Sequence, residues 1–272
     1  MTIQKITDEF AQNSANKQKA IQFSVAKAET TGLTDSKIGG NLYFPKSAEY
    51  PHGKNSKQPL RFLAQLNFSQ LPKLENFPQS GLLQFFIAQE DVYGADFDNP
   101  TSQDGFRVLY HKDTSEETMT DIPVPDDDCF PFGENEQFAL TAELTEMTMT
   151  PGDFRFDEAF LKVYKKYYPD SEAEDVFDIA DDDVEGYDAE KFEEVYNNLC
   201  KGGCRVGGYP YFTQSDPRGD TEELQNHTVL LLQIDSEDEI MWGDCGVANF
   251  FITPDDLANL DFSNVLYNWD CG

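Results

Sequence analysis

Two glutamines are the first residues in this sequence whose type and place suggest chemistry. Gln65 lies in FLAQLN (62–67) and Gln233 in LLLQID (230–235), each an amide inside an apolar run of strand length. Alternate side chains of a strand point to opposite faces, which puts Gln65 beside Leu63 and Asn67 and opposite Phe62, Ala64 and Leu66. A buried amide needs hydrogen-bond partners. It either satisfies the backbone of a neighbouring loop or faces a ligand. The run Gln214-Ser-Asp216-Pro-Arg218 offers a similar pair of readings. Asp and Arg two apart at a Pro turn make either a loop staple or an anion-binding fork. In Met241-Trp242-Gly243-Asp244-Cys245-Gly246, the flanking glycines suggest a tight turn with positive φ under the Trp242 ring. The alternative is a pocket lined by Trp242 and Asp244. Arg107 and His111 stand on GFRVLYH (105–111), where both can face a pocket.

Metal chemistry has thinner support. Asp181, Asp183 and Glu185 with Gly186 follow the start of an EF-hand loop, but position twelve is Phe192 and the acid, Glu193, comes one residue late. These residues make at most a weak calcium site, and a solvated acidic loop is the other reading. Cys200 and Cys204 form a CxxxC, whereas Cys245 and Cys271 are far apart and Cys129 stands alone. Structural zinc sites usually show two tight pairs. The motifs GxSxG, HExxH, Walker A and GxGxxG do not occur, and the three histidines, His52, His111 and His227, sit in no recognised pattern. The expectation is therefore no cofactor, no catalytic residue and a leaning away from an enzyme.

Charge narrows the partners. The 272 residues carry 20 Lys+Arg against 51 Asp+Glu, a net charge of −31. Such a chain repels nucleic acid and anionic membranes and suits a basic protein partner. With 39% apolar and 13% aromatic residues, it still has the material for a packed core. The charge is uneven: residues 170–190 hold eleven acids and no Lys or Arg. No run approaches the roughly 20 apolar residues of a membrane span. The first residues lack an apolar signal core, and five cysteines are an odd number. A cytoplasmic protein with reduced thiols is expected. Its oligomeric state is not legible.

These side chains need elements to hold them. Residues 3–30 read as a polar helix with a stripe at Ile3, Ile6, Phe10, Ile21 and Val25. Short apolar runs then predict strands over 42–44, 62–66, 82–88, 106–110, 138–144, 229–234, 247–252 and 265–267. Between them, 157–168 and 188–199 carry apolar residues at helical spacing around the acidic stretch. Thr253-Pro254-Asp255-Asp256 reads as a helix start.

The strand regions resemble one another. GGNLYF (39–44) matches GGYPYF (207–212), and FLAQLN matches LLLQID, both at an offset of 168. SGLLQFFIA (80–88) matches CGVANFFIT (245–253) at an offset of 165. The expected architecture is α+β: one β-rich domain over 1–272, with β units at 38–112 and 206–272 and a helical acidic insert over about 157–200. Units of this size have marginal cores alone, so the two should pack together and neither should fold by itself. A pocket between them, lined by Gln65, Arg107, Gln233 and Asp216, is the place for a small ligand.

The blocks PLRFLAQLNFSQLP (59–72), SGLLQFF (80–86), GFRVLYH (105–111), GGYPYFTQSDPR (207–218), LLLQIDSEDEIMWGDCGVANFFI (230–252) and DFSNVLYNWDC (261–271) resemble the YwqG-like family of bacterial proteins of unknown function. The resemblance implies an α+β fold with duplicated β units, a soluble cytoplasmic protein and no established catalytic residues. Some members are similar to proteins encoded near bacterial toxin systems, which implies a protective or partner-binding role. The acidic segment 170–190 matches no motif of the family.

Overall fold

Ile3, Ile6 and Phe10 recur at helical spacing and bury one face of α1 (Ile3–Gln12). The computed structural model describes residues 3–125, 129–180 and 189–272. The helix predicted over 3–30 ends at Gln12, and Lys17–Lys27 is instead an eleven-residue strand, β1. Ile21 and Val25 are four apart, a spacing that suits one face of a helix and, being even, one face of a strand. Phe23 between them decides the matter, because Ile21, Phe23 and Val25 all turn to the core.

The other strands are β2 (Lys37–Gly39), β3 (Arg61–Asn67), β4 (Leu82–Ile87), β5 (Phe106–His111), β6 (Gln137–Thr148), β7 (Arg205–Gly207), β8 (Val229–Asp235), β9 (Val247–Ile252) and β10 (Leu266–Asp270). They form one antiparallel sheet in the order β10-β9-β8-β7-β1-β6-β2-β3-β4-β5. Three helices join α1: α2 (Phe156–Tyr164), α3 (Ala189–Leu199) and α4 (Pro254–Asn259). The α+β, β-rich architecture is as the sequence predicts. Thr253 caps α4 through its hydroxyl, which accepts from the Asp256 amide at 3.1 Å, with Pro254 in the first turn.

The middle of the sheet is the long β1–β6 ribbon, paired from Lys17↔Thr148 to Lys27↔Phe138. From it two four-stranded arms extend, β2 to β5 on one side and β7 to β10 on the other. Each arm is joined to the long strand from the other half of the chain: β2 pairs with β6, and β7 with β1. The halves interlock through these pairings.

The arms also match in detail. β2 and β3 start and end 168 residues before β7 and β8, and β4 starts and ends 165 before β9. Each arm has a register shift at the same place, between Phe62 and Ala64 and between Leu230 and Leu232. This irregularity corrects the strand phase expected around Gln65. Leu63 is an extra residue that faces the core with Ala64 and Leu66, while Phe62 packs on the other face with Phe86. A strict alternation cannot register a bulge.

The arms curl toward each other and share a core. Phe85 meets Phe250 at 5.0 Å between ring centroids, Phe106 meets Tyr267 at 5.2 Å, and Phe250 stacks on Tyr267 at 4.5 Å. The result is a nearly closed barrel filled with aromatic rings. A second cluster joins α1, α2 and α3 through Phe10, Phe156, Phe160 and Phe192. No helix among the described residues is long and apolar enough to cross a membrane.

Candidate functional site

Gln65 and Gln233 are fully buried, and loop backbone takes up their amides. Gln65 Nε2 donates to the carbonyls of Leu33 (2.9 Å) and Asp35 (2.8 Å). Gln84, its cross-strand neighbour, donates to Gln65 Oε1 (3.0 Å) and to the Tyr43 carbonyl (2.6 Å). In the other arm, Gln233 accepts from the Tyr211 amide (2.7 Å) and donates to the Gly203 carbonyl (2.7 Å), and Asn249 donates to the Tyr211 carbonyl (2.8 Å). His111 donates through Nε2 to Gln84 Oε1 at 2.9 Å, and burial lowers its pKa against the opposing charge of Glu116.

Two buried cations begin these polar rows, and sequence reasoning missed both. Lys37 lies opposite Gln65, and Arg205 opposite Gln233. Lys37 donates to the carbonyls of Gly32 (2.7 Å) and Asn41. Arg205 donates to those of Tyr209 (3.2 Å), Gly202 (2.6 Å) and Lys201. Burial pushes the Lys37 amine down to about 8 and the Arg205 guanidinium to about 10. The signal was available: the offset of 168 that aligns the glutamines also aligns Lys37 with Arg205.

Arg218 sits in an ion cluster. Its side chain is 1% exposed, donating to Asp216 (2.6 Å), Asp153 (3.2 Å) and the His227 carbonyl (3.2 Å), with the Phe251 ring 4.0 Å from its guanidinium carbon. Asp216 also accepts from the Phe154 amide at 3.0 Å. Asp153 further accepts from Arg155 Nε and Nη2, each at 2.6 Å. Burial opposes ionisation of Asp153, but the Arg155 bonds and the Arg218 charge outweigh it and hold the carboxyl below its ordinary range. The arrangement staples the loop before α2 to the 216–219 turn.

The remaining candidates are dispersed. Gln214 donates to the Cys271 carbonyl at 2.7 Å. Trp242 is fully buried, edge-on to Tyr93 at 5.4 Å, while Asp244 is an exposed turn residue. Positive φ falls at Gly243 and Cys245 around it. Arg107 lines a cleft with His52, Lys54 and Lys57. The expected convergence of Gln65, Arg107, Gln233 and Asp216 on a pocket between the arms therefore needs correction. Aromatic rings fill that space, and both glutamines lie on the outer faces, under the loops. Asp181, Asp183 and Glu185 lie outside the described residues, and Glu193 is exposed on α3. Among the described residues, no three Cys, His, Asp or Glu side chains form a metal-binding group.

Two clefts flank the β1–β6 ribbon. One, of about 560 Å³, is lined by Lys17, Gln18, Lys19, Arg155 and the Gly207-Gly208 pair. The other, of about 440 Å³, is lined by Glu134, Asn135, Arg61, Phe62 and the Gly39-Gly40 pair. All four glycines have φ near +70°. The clefts occupy corresponding places in the two arms but differ in their charged lining: Lys17, Lys19 and Arg155 with Glu75 and Glu146 in one, Arg61 with Glu134 in the other.

The acidic segment has a hydrophobic feature of its own. Ala173, Val176 and Ile179 turn inward at a spacing of three, while Glu172 and Glu174 face solvent. Phe177 also points outward, 64% exposed, with its ring 5.6 Å from that of Tyr196. Beneath it, burial and repulsion from Asp175 and Asp178 raise the pKa of Asp157.

The sheet and its clefts define a β-rich class without an assigned chemistry, and residues 36–271 match the family described as "Domain of unknown function (DUF1963)". The chain belongs to that family. The match runs from β2 through β10 and leaves α1 and β1 outside it. No curated protein matches the chain.

Proposed function

We propose that this chain is a non-catalytic cytoplasmic binding protein that engages a basic protein partner through its acidic helical segment. Phe177 carries the reading: a large aromatic side chain, 64% exposed, standing among Glu172, Glu174, Asp175 and Asp178. Interface hot spots pair a desolvated aromatic anchor with surrounding charge that steers encounter. The YwqG-like resemblance supports a partner-binding role. The test is capture from native cytosol by the tagged full chain, with elution by rising salt. Captured protein should leave at moderate salt, and Phe177→Ser should abolish capture without changing the melting temperature. Capture that resists salt, or that survives Phe177→Ser, overturns the reading.

A second reading places a small ligand in the glycine clefts. It is favoured by their matched positions, which support treating the two arms as copies of one β unit whose sites have diverged. A metabolite that raises the melting temperature of the wild type but not of Lys19→Glu would support it. A rise of equal size in both proteins would count against it.

A further inference from the structure

A third cleft reverses the sign of the surrounding protein. It lies between the 49–57 loop and β5, with a volume of about 530 Å³, and is lined by His52, Lys54, Lys57 and Arg107, with Glu49 as its acid. Three of the chain's 20 Lys and Arg residues thus meet at one cleft in a protein of net charge −31.

The loop that carries them is held in place. The Leu60 amide donates to the Pro51 carbonyl (2.9 Å) and the Gly53 amide to the Gln58 carbonyl (3.0 Å). The Asn55 amide donates to Asp104 Oδ1 (2.8 Å), which fixes the tip against the segment entering β5. Arg107 is anchored through Nη2 to the Gln103 carbonyl at 2.9 Å, and Gln103 is tied to the Phe262 carbonyl at 2.6 Å. The donors that remain are suited to an anion. His52 Nδ1 donates to the Tyr50 carbonyl at 2.8 Å, which leaves Nε2 an acceptor in the neutral ring and a donor to an anion only in the imidazolium. Arg107 Nη1 and Lys54 Nζ have no partner among the described residues.

We propose that this cleft binds a phosphate dianion, free or as the phosphoryl group of a small monoester. Two lysines and an arginine neutralise a dianion, which a single carboxylate does not require. A long polyanion would run from the cleft onto acidic surface, so the ligand is small.

The test is calorimetric titration of the full chain with inorganic phosphate, glucose 6-phosphate and poly(U). Either small phosphate should bind, and binding should weaken at least about tenfold in Arg107→Gln and in Lys54→Gln/Lys57→Gln. The loop double variant keeps the test valid if Arg107→Gln fails to fold. Tighter binding of the ester than of inorganic phosphate identifies a phosphorylated metabolite, and equal binding identifies free phosphate. No binding of either small probe, equal binding in the loop variant, or preference for poly(U) overturns the proposal.

Discussion

Lys37 and Arg205 lie 168 residues apart and hold the same place in their arms, each the first residue of a three-residue strand and opposite a buried glutamine. Both side chains are fully buried, and backbone carbonyls of the adjoining loop receive their hydrogen bonds. Lys37 reaches Asn41 and Arg205 reaches Tyr209, each four residues ahead. Desolvating a cation is costly, and a hydrogen bond from a charged group returns about 1.5–3 kcal/mol. The cations therefore order their loops only while they remain charged or keep every partner.

That arrangement gives Lys37 a pH signature. Burial lowers its folded pKa from 10.5 to about 8. Between those values the unfolded chain binds the proton and the folded chain does not, so stability contributed by this group rises with pH. Below pH 8 both states are protonated and the contribution is flat. Tyrosines such as Tyr196, pushed up to about 12 by burial, act in the opposite sense above pH 10 but are common to wild type and variant. Urea denaturation at pH 7.0, 8.5 and 10 should show wild type gaining stability relative to Lys37→Met across that series. A constant difference would mean that Lys37 titrates normally.

The glutamines should behave as structural groups. Gln65→Leu leaves the Leu33 and Asp35 carbonyls without their donor, and an unsatisfied buried group costs about 1–3 kcal/mol. Gln65→Glu should cost more, because a carboxylate cannot donate to either carbonyl. Gln233→Leu should fall in the range of Gln65→Leu, since it strips Gly203 and Tyr211 in the same way. Equilibrium urea denaturation measures all three. A neutral Gln65→Leu would refute the loop-bridging role.

These residues also mark where the sequence could be read and where it could not. The apolar runs located β3, β4, β8 and β9 closely, because their residues are buried on both faces and turn residues bound them. β1 was missed because Ile21 and Val25 satisfy both periods. Gln65 lies opposite Ala64 and Leu66 as the alternation predicts, but Phe62 and Leu63 exchange faces because a bulge at Leu63 leaves no mark in composition. Lys37 and Arg205 were overlooked because surface exposure is the default for a cation, although the matching offset pointed to them. The lone acid–base run Asp216-Pro-Arg218 gives no hint of Asp153, the partner of Arg218 65 residues earlier. Long-range ion pairs have no local sequence signal.

Asp153→Asn tests that ion cluster. The side chain is fully buried and bonds both Arg155 and Arg218. Losing one charge of a buried network costs about 3–5 kcal/mol, because Arg218 stays buried with one carboxylate fewer. The lowered folded pKa of Asp153 sets the sign of the pH effect. Its contribution is present above the ordinary value of 3.8 and is lost as pH falls through the folded value. The stability gap between wild type and Asp153→Asn should therefore narrow as acid is added below pH 4. A gap unchanged down to pH 2 would show that the carboxylate is not what the arginines require.

The glycine pairs that line the two clefts should differ in tolerance despite their matched backbone. Gly39 and Gly207 have φ of +67° and +70°, so alanine at either pays about 1–2 kcal/mol for the left-handed conformation. The space around them differs. A Cβ on Gly39 would stand 2.4 Å from the Glu136 carbonyl oxygen, part of the backbone entering β6. A Cβ on Gly207 would stand 2.6 Å from Leu74 Cδ2, a side-chain end that can rotate away, and 3.1 Å from the Lys19 carbonyl oxygen. Backbone at the ribbon cannot yield without disturbing the β2–β6 pairing, whereas the Leu74 side chain can. Gly39→Ala should therefore be the more destabilising by about 1 kcal/mol or more, the scale of overpacking at a rigid neighbour. Thermal and urea unfolding of both variants decide it. Equal losses would mean that φ alone governs these positions, and a larger loss at Gly207 would mean that Leu74 is the more rigid neighbour.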